Sequence, residues 1–322
     1  MSLLKRYKND FLMFNDDIQG TAAIVLAGII GALKIQNKSY KEITKMKFVI
    51  VGAGSAGLGI ADQLLRFLEL FGIFREEARQ LFYILNSQGL ITVQNNKNPN
   101  LAQFARKETE YSDLKLLEVV KKFKPDVLIG VSGQPKQFTK EVLQAMIQDK
   151  PDFMPIIFPL SNPTSKSECT AEEAQKYTNN RAIFGSGSPF SDVRLPNGRT
   201  IVSNQTNNLY IFPAMALGSY VGGFKTIPDN YFIVASEALA ETIRPEDVEK
   251  RSIYPKLEDI REVSVHIAAK LIEEGIKDNL VRNSMAISTA QKGISVLKKY
   301  LENLQWNLDY KQYLYYPQGV KE

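Results

Sequence analysis

Hydrophobic positions along this chain change period repeatedly, and each change marks an element. After a polar start with Leu3, Leu4, Tyr7 and Phe11 at helical spacing, Phe14-Asn-Asp-Asp-Ile-Gln-Gly-Thr21 gives way to an apolar run that predicts a buried helix over 22–33. Asn and Asp just before such a run are helix-start residues, so local pattern alone makes Asp16 and Asp17 an N-cap pair. Short, branched, nearly unbroken apolar runs recur at 47–51, 81–85, 126–131, 155–161 and 181–186, as expected of parallel strands buried on both faces. Helical patterns at 58–71, 111–122, 139–148 and 170–177 separate them, and strand alternating with helix predicts an α/β fold with a doubly wound parallel sheet. Residues 86–100, rich in Asn and Gln and without apolar period, read as loop. From Pro228 the strand pattern stops, and long amphipathic patterns at 230–242 and 257–274 predict closing helices, followed by a tyrosine-rich tail after Trp306. The expected organisation is a helical lead-in over 1–44, a sheet domain over 45–227 and a C-terminal helical segment over 228–322 packed on it.

Composition narrows the chemistry. The 322 residues are 44 % hydrophobic and 23 % charged, the profile of an ordinary soluble globular chain. The charge-free stretch 18–33 covers 16 residues and contains Gln19, Thr21 and three glycines, short of the roughly 20 apolar residues a membrane span needs. One histidine and one cysteine exclude a zinc site, an iron–sulfur cluster and a disulfide framework, so any metal must be held by oxygen. The histidine, His266, lies in a run with helical apolar spacing and reads as a helix-packed residue rather than a catalytic base. Net charge is +5, carried by dispersed lysines without interleaved arginine and aromatic residues, which fits solvated surface and no nucleic-acid partner. A single cysteine and no secretory signal point to an intracellular chain.

Gly52-Ala-Gly-Ser-Ala-Gly57 stands directly after one predicted strand and directly before a predicted helix, the context that gives G-x-G-x-x-G its meaning. Gly52 allows the tight turn, Gly54 lets the backbone approach a pyrophosphate, and Gly57 lets the helix pack close; the amides from Ala53 through Ser55 to Ala56 then face the anion. The competing reading is a tight turn without ligand. The acid expected on the ribose after the second strand is absent: Asn86 follows Leu85, able to hydrogen-bond a ribose hydroxyl but without the charge that repels a 2′-phosphate. No arginine follows either, which favours NAD while leaving NADP open. Asn162, in Leu-Ser-Asn-Pro-Thr at the carboxyl end of a predicted strand, lies where open parallel sheets place ligands, or forms an Asn-Pro turn. Asn207-Asn208 reads equally as a helix cap.

Taken in order, Phe14-Asn-Asp-Asp-Ile-Gln-Gly-Thr-Ala-Ala23, Val51-Gly-Ala-Gly-Ser-Ala-Gly-Leu-Gly-Ile-Ala61, Leu160-Ser-Asn-Pro-Thr-Ser-Lys-Ser-Glu-Cys-Thr170, Gly187-Ser-Pro-Phe190, Asn207-Asn-Leu-Tyr-Ile-Phe-Pro213 and Ile260-Arg-Glu-Val-Ser264 resemble the malic enzymes over nearly the whole chain. The resemblance implies a Rossmann-type fold, malate and pyruvate as small-molecule partners, NAD or NADP as hydride carrier, and Mg²⁺ or Mn²⁺ to polarise the C2 carbonyl during loss of CO₂. It implies that Asp17 is a metal ligand, that Asp16 is its neighbour tuning the catalytic base, that Asn162, Asn207 and Asn208 hold the malate carboxylates, and that Thr21 joins the glycine turn in holding the cofactor. It also implies a homo-oligomer in the cytoplasm or mitochondrial matrix. The family's other metal ligands, a Glu-Asp pair, and its catalytic tyrosine, lysine and substrate-gripping arginine belong to a part that precedes the segment matched here. The expectation is therefore a dinucleotide-binding half that is weak or dead in catalysis by itself, or a non-catalytic paralogue or regulatory subunit. One local departure bears on the asparagine pair: Ser203-Asn-Gln-Thr206 replaces the usual Pro-Gly-Gln-Gly, a stiffer turn expected to shift it.

Overall fold

Alternate residues of each apolar run face opposite ways, so a strand without polar positions must be covered on both sides. The computed structural model, which describes residues 2–308, shows that arrangement; the tyrosine-rich tail beyond 308 lies outside the described residues. Helices α1 (Ser2–Tyr7) and α2 (Thr21–Ile35) lead into strand β1 (Phe48–Val51), helices α3 (Ser55–Glu69) and α4 (Arg75–Ala78), and strands β2 (Phe82–Asn86) and β3 (Gly89–Leu90). Helix α5 (Leu116–Phe123), strand β4 (Val127–Gly130), helix α6 (Lys140–Ile147), strand β5 (Ile156–Pro159), helix α7 (Ala171–Tyr177) and strand β6 (Ile183–Ser186) follow. Next come the hairpin strands β7 (Val193–Arg194) and β8 (Thr200–Ile201), strand β9 (Asn204–Gln205), and helices α8 (Phe212–Gly222), α9 (Tyr231–Glu241), α10 (Pro245–Glu249), α11 (Ile260–Lys277), α12 (Ser284–Gln291) and α13 (Ile294–Leu304).

The main sheet runs β3-β2-β1-β4-β5-β6-β9, parallel throughout except for the edge strand β3. Phe48, Ile50, Phe82, Ile84, Val127, Ile129, Ile156 and Phe158 join one core with α2, α3, α8, α9 and α11. Val49, Val51, Tyr83, Leu85, Leu128, Ile157 and Phe184 join the other core with α5, α6 and α7. All five predicted strands are present, and the fold is the doubly wound one expected. The chain leaves β1 toward β2 and returns to β4 on its other side, so the topological switch point falls between β1 and β4, beside the glycine turn.

The stretch Asp16–Ile35, 20 residues containing a window of mean hydropathy 1.8, is long and apolar enough to cross a membrane by length and composition; 78 % of that window is buried inside the fold, where α2 packs between α3 and α9. Three sequence expectations change. The segment read as loop contains β3, because Gly89, at φ +135° and with the Asp113 backbone 2.6 Å from where a Cβ would stand, lets the chain fold back on β2. Helix α5 starts at Leu116 rather than 111, because Asp113 adopts φ +67° and interrupts the helix, which is then capped by Glu118 accepting from the Lys115 amide at 2.7 Å. Helices α12 and α13, not read from the pattern, pack on α11, and the residues after α13 are bonded to Arg261 near its start.

Candidate functional site

The glycine turn is built as its sequence requires. Gly52 sits at φ +125°, and a Cβ there would stand 2.7 Å from the Val131 carbonyl, so only glycine lets β1 turn this close to the end of β4. Gly57 is equally confined, since a Cβ would overlap the Gly52 carbonyl oxygen. Gly54 differs: nothing lies within 4 Å of where its Cβ would be. It occupies the N-cap of the 15-residue helix α3 with no side-chain cap, which leaves the first amides of the helix free above an open space. That geometry suits a pyrophosphate at a helix N-terminus.

A cleft of about 960 Å³ opens at the carboxyl ends of the parallel strands. Its wall takes Ala56 from the turn after β1, Val131 and Gly133 after β4, Leu160 to Thr164 after β5, Gly187 to Pro189 after β6, and Gln205 to Asn208 from β9 onward, with Asp16, Asp17 and Thr21 closing one side. Of the residues singled out from sequence, the cleft therefore gathers Asp16, Asp17, Thr21, Ala56, Asn162, Asn207 and Asn208. Gly52, Ala53, Gly54 and Ser55 form the adjoining turn. Asn86 stands apart at the end of β2, its Oδ1 accepting from the amides of Gln88 at 2.8 Å and Gly89 at 3.1 Å. That end of the sheet is where such folds take the adenosine ribose, and its Nδ2 is not engaged by the turn.

Residues Asp16–Gly20 form a π-helical turn leading into α2. Asn15, not either aspartate, is the cap: its Oδ1 accepts from the Ile18 amide at 2.9 Å. This corrects the N-cap reading of Asp16 and Asp17, which lie inside the first turn and do not cap it. Asn208 Nδ2 donates to the Asp16 carbonyl and to Asp16 Oδ2, both at 3.1 Å, and to Thr21 Oγ1 at 3.2 Å. Asp16 Oδ1 is buried without a partner. Burial pushes the Asp16 carboxyl above the ordinary carboxylate range; the Asn208 amide opposes the shift and the charge of Asp17 adds to it.

Asn162 is exposed in the cleft, and its Oδ1 accepts from Ser188 Oγ at 2.8 Å, which fixes the amide. Asn207 does serve as a cap, its Oδ1 accepting from the Leu209 amide at 3.0 Å, while still lining the cleft. The stiffer turn before it is held by Asn204, whose Nδ2 donates to the Phe184 and Arg251 carbonyls and whose Oδ1 accepts from the Ile253 amide. His266 lies on α11 against Glu241 at 2.9 Å, outside the cleft, as a packed residue. Sequence reasoning missed Ser161, Ser188 and Gly133 as parts of the wall; the available signal was a polar or glycine residue immediately after each apolar strand run.

The residues fit a dinucleotide. They fit a divalent cation only in part: Asp16 and Asp17 are two carboxylates on one turn, and among the described residues no three His, Cys, Asp or Glu side chains cluster to hold a metal.

Comparison with known proteins bears on residues 18–276, which match the family model described as malic enzyme, NAD binding domain. The chain is 39 % identical to the mitochondrial NAD-dependent malic enzyme of Solanum tuberosum over 97 % of its own length and 52 % of that protein's. It is 41 % identical to the mitochondrial NADP-dependent malic enzyme of Homo sapiens over 86 % of its own length and 45 % of that protein's. It spans about half the length of these curated relatives. In structure, it resembles the malic enzyme of Entamoeba histolytica with a TM-score of 0.69 at 23 % identity, covering 92 % of this chain and 55 % of that one. The malic enzyme from Pyrococcus horikoshii gives 0.66 at 24 %, covering 94 % and 67 %; both likenesses speak for the fold.

Proposed function

Because the chain belongs to the malic enzyme family, as its NAD-binding domain, we propose that it is the dinucleotide-holding half of an enzyme that oxidises malate with NAD(P) and decarboxylates the product to pyruvate. The observation that carries the reading is the cleft at the strand ends, where an open glycine turn adjoins two aspartates and three asparagines. NAD(P) would supply the hydride acceptor, and Mg²⁺ or Mn²⁺ the electrophile that stabilises the enolate left by CO₂.

The chain's own residues divide the remaining work. The amides from Ala53 to Ala56 hold the pyrophosphate, Asn86 the adenosine ribose, and Thr21 the cofactor side of the acidic turn. Asn162, Asn207 and Asn208 hold the malate carboxylates, each with an amide oriented by a neighbour or by its place in the wall. Asp17 offers one oxygen ligand to the cation. Asp16, half-buried and with its carboxyl pushed above the ordinary carboxylate range by burial, stands beside Asp17, which suits it to tune an adjacent base. The further oxygens a hard cation needs come from malate and from the half of the enzyme that the relatives carry in addition. An intracellular site and assembly with further copies belong to the same reading.

A second reading, a non-catalytic dinucleotide-binding paralogue or regulatory subunit, is favoured by the lack, among the described residues, of three clustered side chains able to hold a cation. One set of measurements separates the possibilities. Calorimetric titration of the purified chain with NADH and NADPH should show binding, NADH the tighter, and no heat with either overturns both readings. Malate, NAD⁺ and Mn²⁺ together should give no NADH with the chain alone. Mixing it with the separately expressed N-terminal half of a relative should restore turnover if the chain is half of an enzyme. Silence in that assay, with NADH binding intact, selects the paralogue.

A further inference from the structure

Glu168 is completely buried, yet it is neither in the cleft nor in any ion pair among the described residues. A buried carboxylate must be compensated by hydrogen bonds, and where those bonds come from shows what it is for. Ser161 Oγ donates to Glu168 Oε1, and the Ser161 amide donates to Oε2 at 3.3 Å. Ser161 Oγ in turn accepts from the Gly133 amide at 2.9 Å. The space for this carboxyl is made by Gly130, the last residue of β4, where a Cβ would stand 2.6 Å from Glu168 Cγ. One side chain thus fastens the loop after β4 to the loop after β5. Both loops line the cleft on the far side of the switch point from β2, and the second carries Asn162.

We propose that Glu168 is a positioning residue for the nicotinamide end of the bound dinucleotide. Acting through Ser161, it holds the Gly133 peptide and the 160–162 segment at the spacing that the ring and the substrate amide Asn162 require. The inference rests on the dinucleotide reading above. In a doubly wound sheet, the pyrophosphate sits at the first glycine turn, one nucleoside lies over β2, and the other lies over the strands beyond the switch point. The carboxylate is suited to this work because it only accepts, and both contacts that Ser161 offers to it are N–H or O–H donors. In Glu168→Gln, one oxygen becomes an NH₂ facing donors, so at least one loop contact is lost with almost no change in volume. Ser161→Ala removes the bridging hydroxyl from the opposite side.

The test compares two ligands on the intact chain: NADH, and ADP-ribose, which keeps the adenosine, pyrophosphate and second ribose but lacks nicotinamide. Binding is measured by calorimetry, and nicotinamide fluorescence at saturating protein is read in parallel. The expected result for Glu168→Gln and Ser161→Ala is about tenfold weaker NADH binding, the usual scale for losing one hydrogen bond to a charged group. ADP-ribose affinity should stay within twofold of the parent, and the bound NADH emission should fall toward that of the free ligand. Equal losses for both ligands would assign the pair to general packing and overturn the proposal, as would unchanged NADH binding in both variants. If Glu168→Gln does not fold, Ser161→Ala decides; failure of both to fold overturns the positioning role in favour of a core role. If the parent chain binds ADP-ribose and NADH equally, the nicotinamide end is not held here and the inference fails while the dinucleotide reading stands. If it binds neither, the dinucleotide reading itself has failed, and the inference falls with it.

Discussion

Replacing Gly54 by alanine separates the fold of the glycine turn from its use. The residue sits at φ −82° and ψ −170°, a conformation alanine adopts, and no atom lies within 4 Å of the added methyl. Two small effects on stability oppose each other. Removing a glycine restricts the unfolded chain and stabilises by about 0.4–1 kcal/mol, while alanine is a poorer N-cap than glycine by about 0.5–1 kcal/mol. The net change should therefore stay within about 1 kcal/mol, a shift of roughly 4 °C or less in Tm for a chain of this size. Binding should respond quite differently. The methyl occupies the space through which a pyrophosphate reaches the free amides of α3, and loss of one amide-to-anion hydrogen bond costs about 1.5–3 kcal/mol, or roughly ten- to a hundredfold in Kd. Gly57→Ala is the contrasting change: its methyl overlaps the Gly52 carbonyl oxygen, far inside the 3.4 Å at which ordinary contact begins, so α3 must move and stability and binding fall together. Thermal melts and NADH calorimetry on the three proteins read both quantities. A Gly54→Ala protein that binds NADH like the parent would refute the assignment of this turn to the pyrophosphate.

Further expectations follow from the same geometry. Asn208→Asp replaces a donor 3.1 Å from Asp16 Oδ2 with a second carboxylate, so the protein should lose about 1–3 kcal/mol at pH 7. Because the native state then favours a proton on the pair, the loss should shrink as pH falls toward 4; urea melts showing the same deficit at both pH values would contradict this. His266, the one histidine, is held below its ordinary pKa by burial and by Lys298, against the pull of Glu241. Its single imidazole resonance should titrate below about 6.5, and stability should fall as pH drops from there toward the native pKa, where only the unfolded chain takes up the proton. A midpoint above 6.5 by NMR would reverse that sign. Tyr254→Phe leaves the buried Ile24 carbonyl without the hydroxyl that donates to it at 2.8 Å, and should cost about 1–3 kcal/mol in a urea melt without altering NADH affinity; a change in affinity would mean that α2 moves with the site.

What the sequence reveals about the fold depends on burial on both faces. Strands covered on both sides must be apolar at every position, so runs such as Phe48-Val-Ile-Val51 are visible by themselves, and their spacing implies the parallel order. Strands β3 and β9 are invisible for the opposite reason: each has two residues, and Asn204-Gln205 belongs to the sheet because Asn204 is bonded to carbonyls 20 and 47 residues away. Helix α5 starts late because of one backbone angle at Asp113, which no periodicity records. In the site, residues with a local motif, Gly52 to Gly57, could be read directly. Asn162, Asn207 and Asn208 had local readings as turn and caps that are partly true, as Asn207 shows, and their cleft positions come from the order of the strands. Glu168 was hidden because the space it fills is made by a glycine remote in sequence, Gly130 of β4, and a charged residue between serine and cysteine gives no sign of being buried.

The acidic turn shows why those longer connections matter for chemistry. Asp16 and Asp17 lie on five π-helical residues, too few to hold a shape alone, and the turn is gripped from two sides. From the cleft, Asn208 reaches it across 192 positions of sequence. From behind, Gln19 accepts from the Asn15 amide at 3.0 Å and donates to Asp229 at 3.1 Å, and Asp229 is paired with Lys8 and Arg66. Those ion pairs are partly exposed and contribute at most about 1 kcal/mol each. Packing is more decisive: Gly59 of α3 gives Ile18 its place, since a Cβ there would stand 2.9 Å from the Ile18 carbonyl oxygen. The same helix thus offers its free N-terminal amides at Gly54 and, one turn further on, a glycine seat for the acidic turn. Movement of α3 would disturb the two together, and its rigidity keeps them in register. The aspartates are therefore ordered by contacts of the fold itself, so on the function proposed above a cation and substrate arriving with further oxygens would meet side chains whose ordering entropy has already been spent.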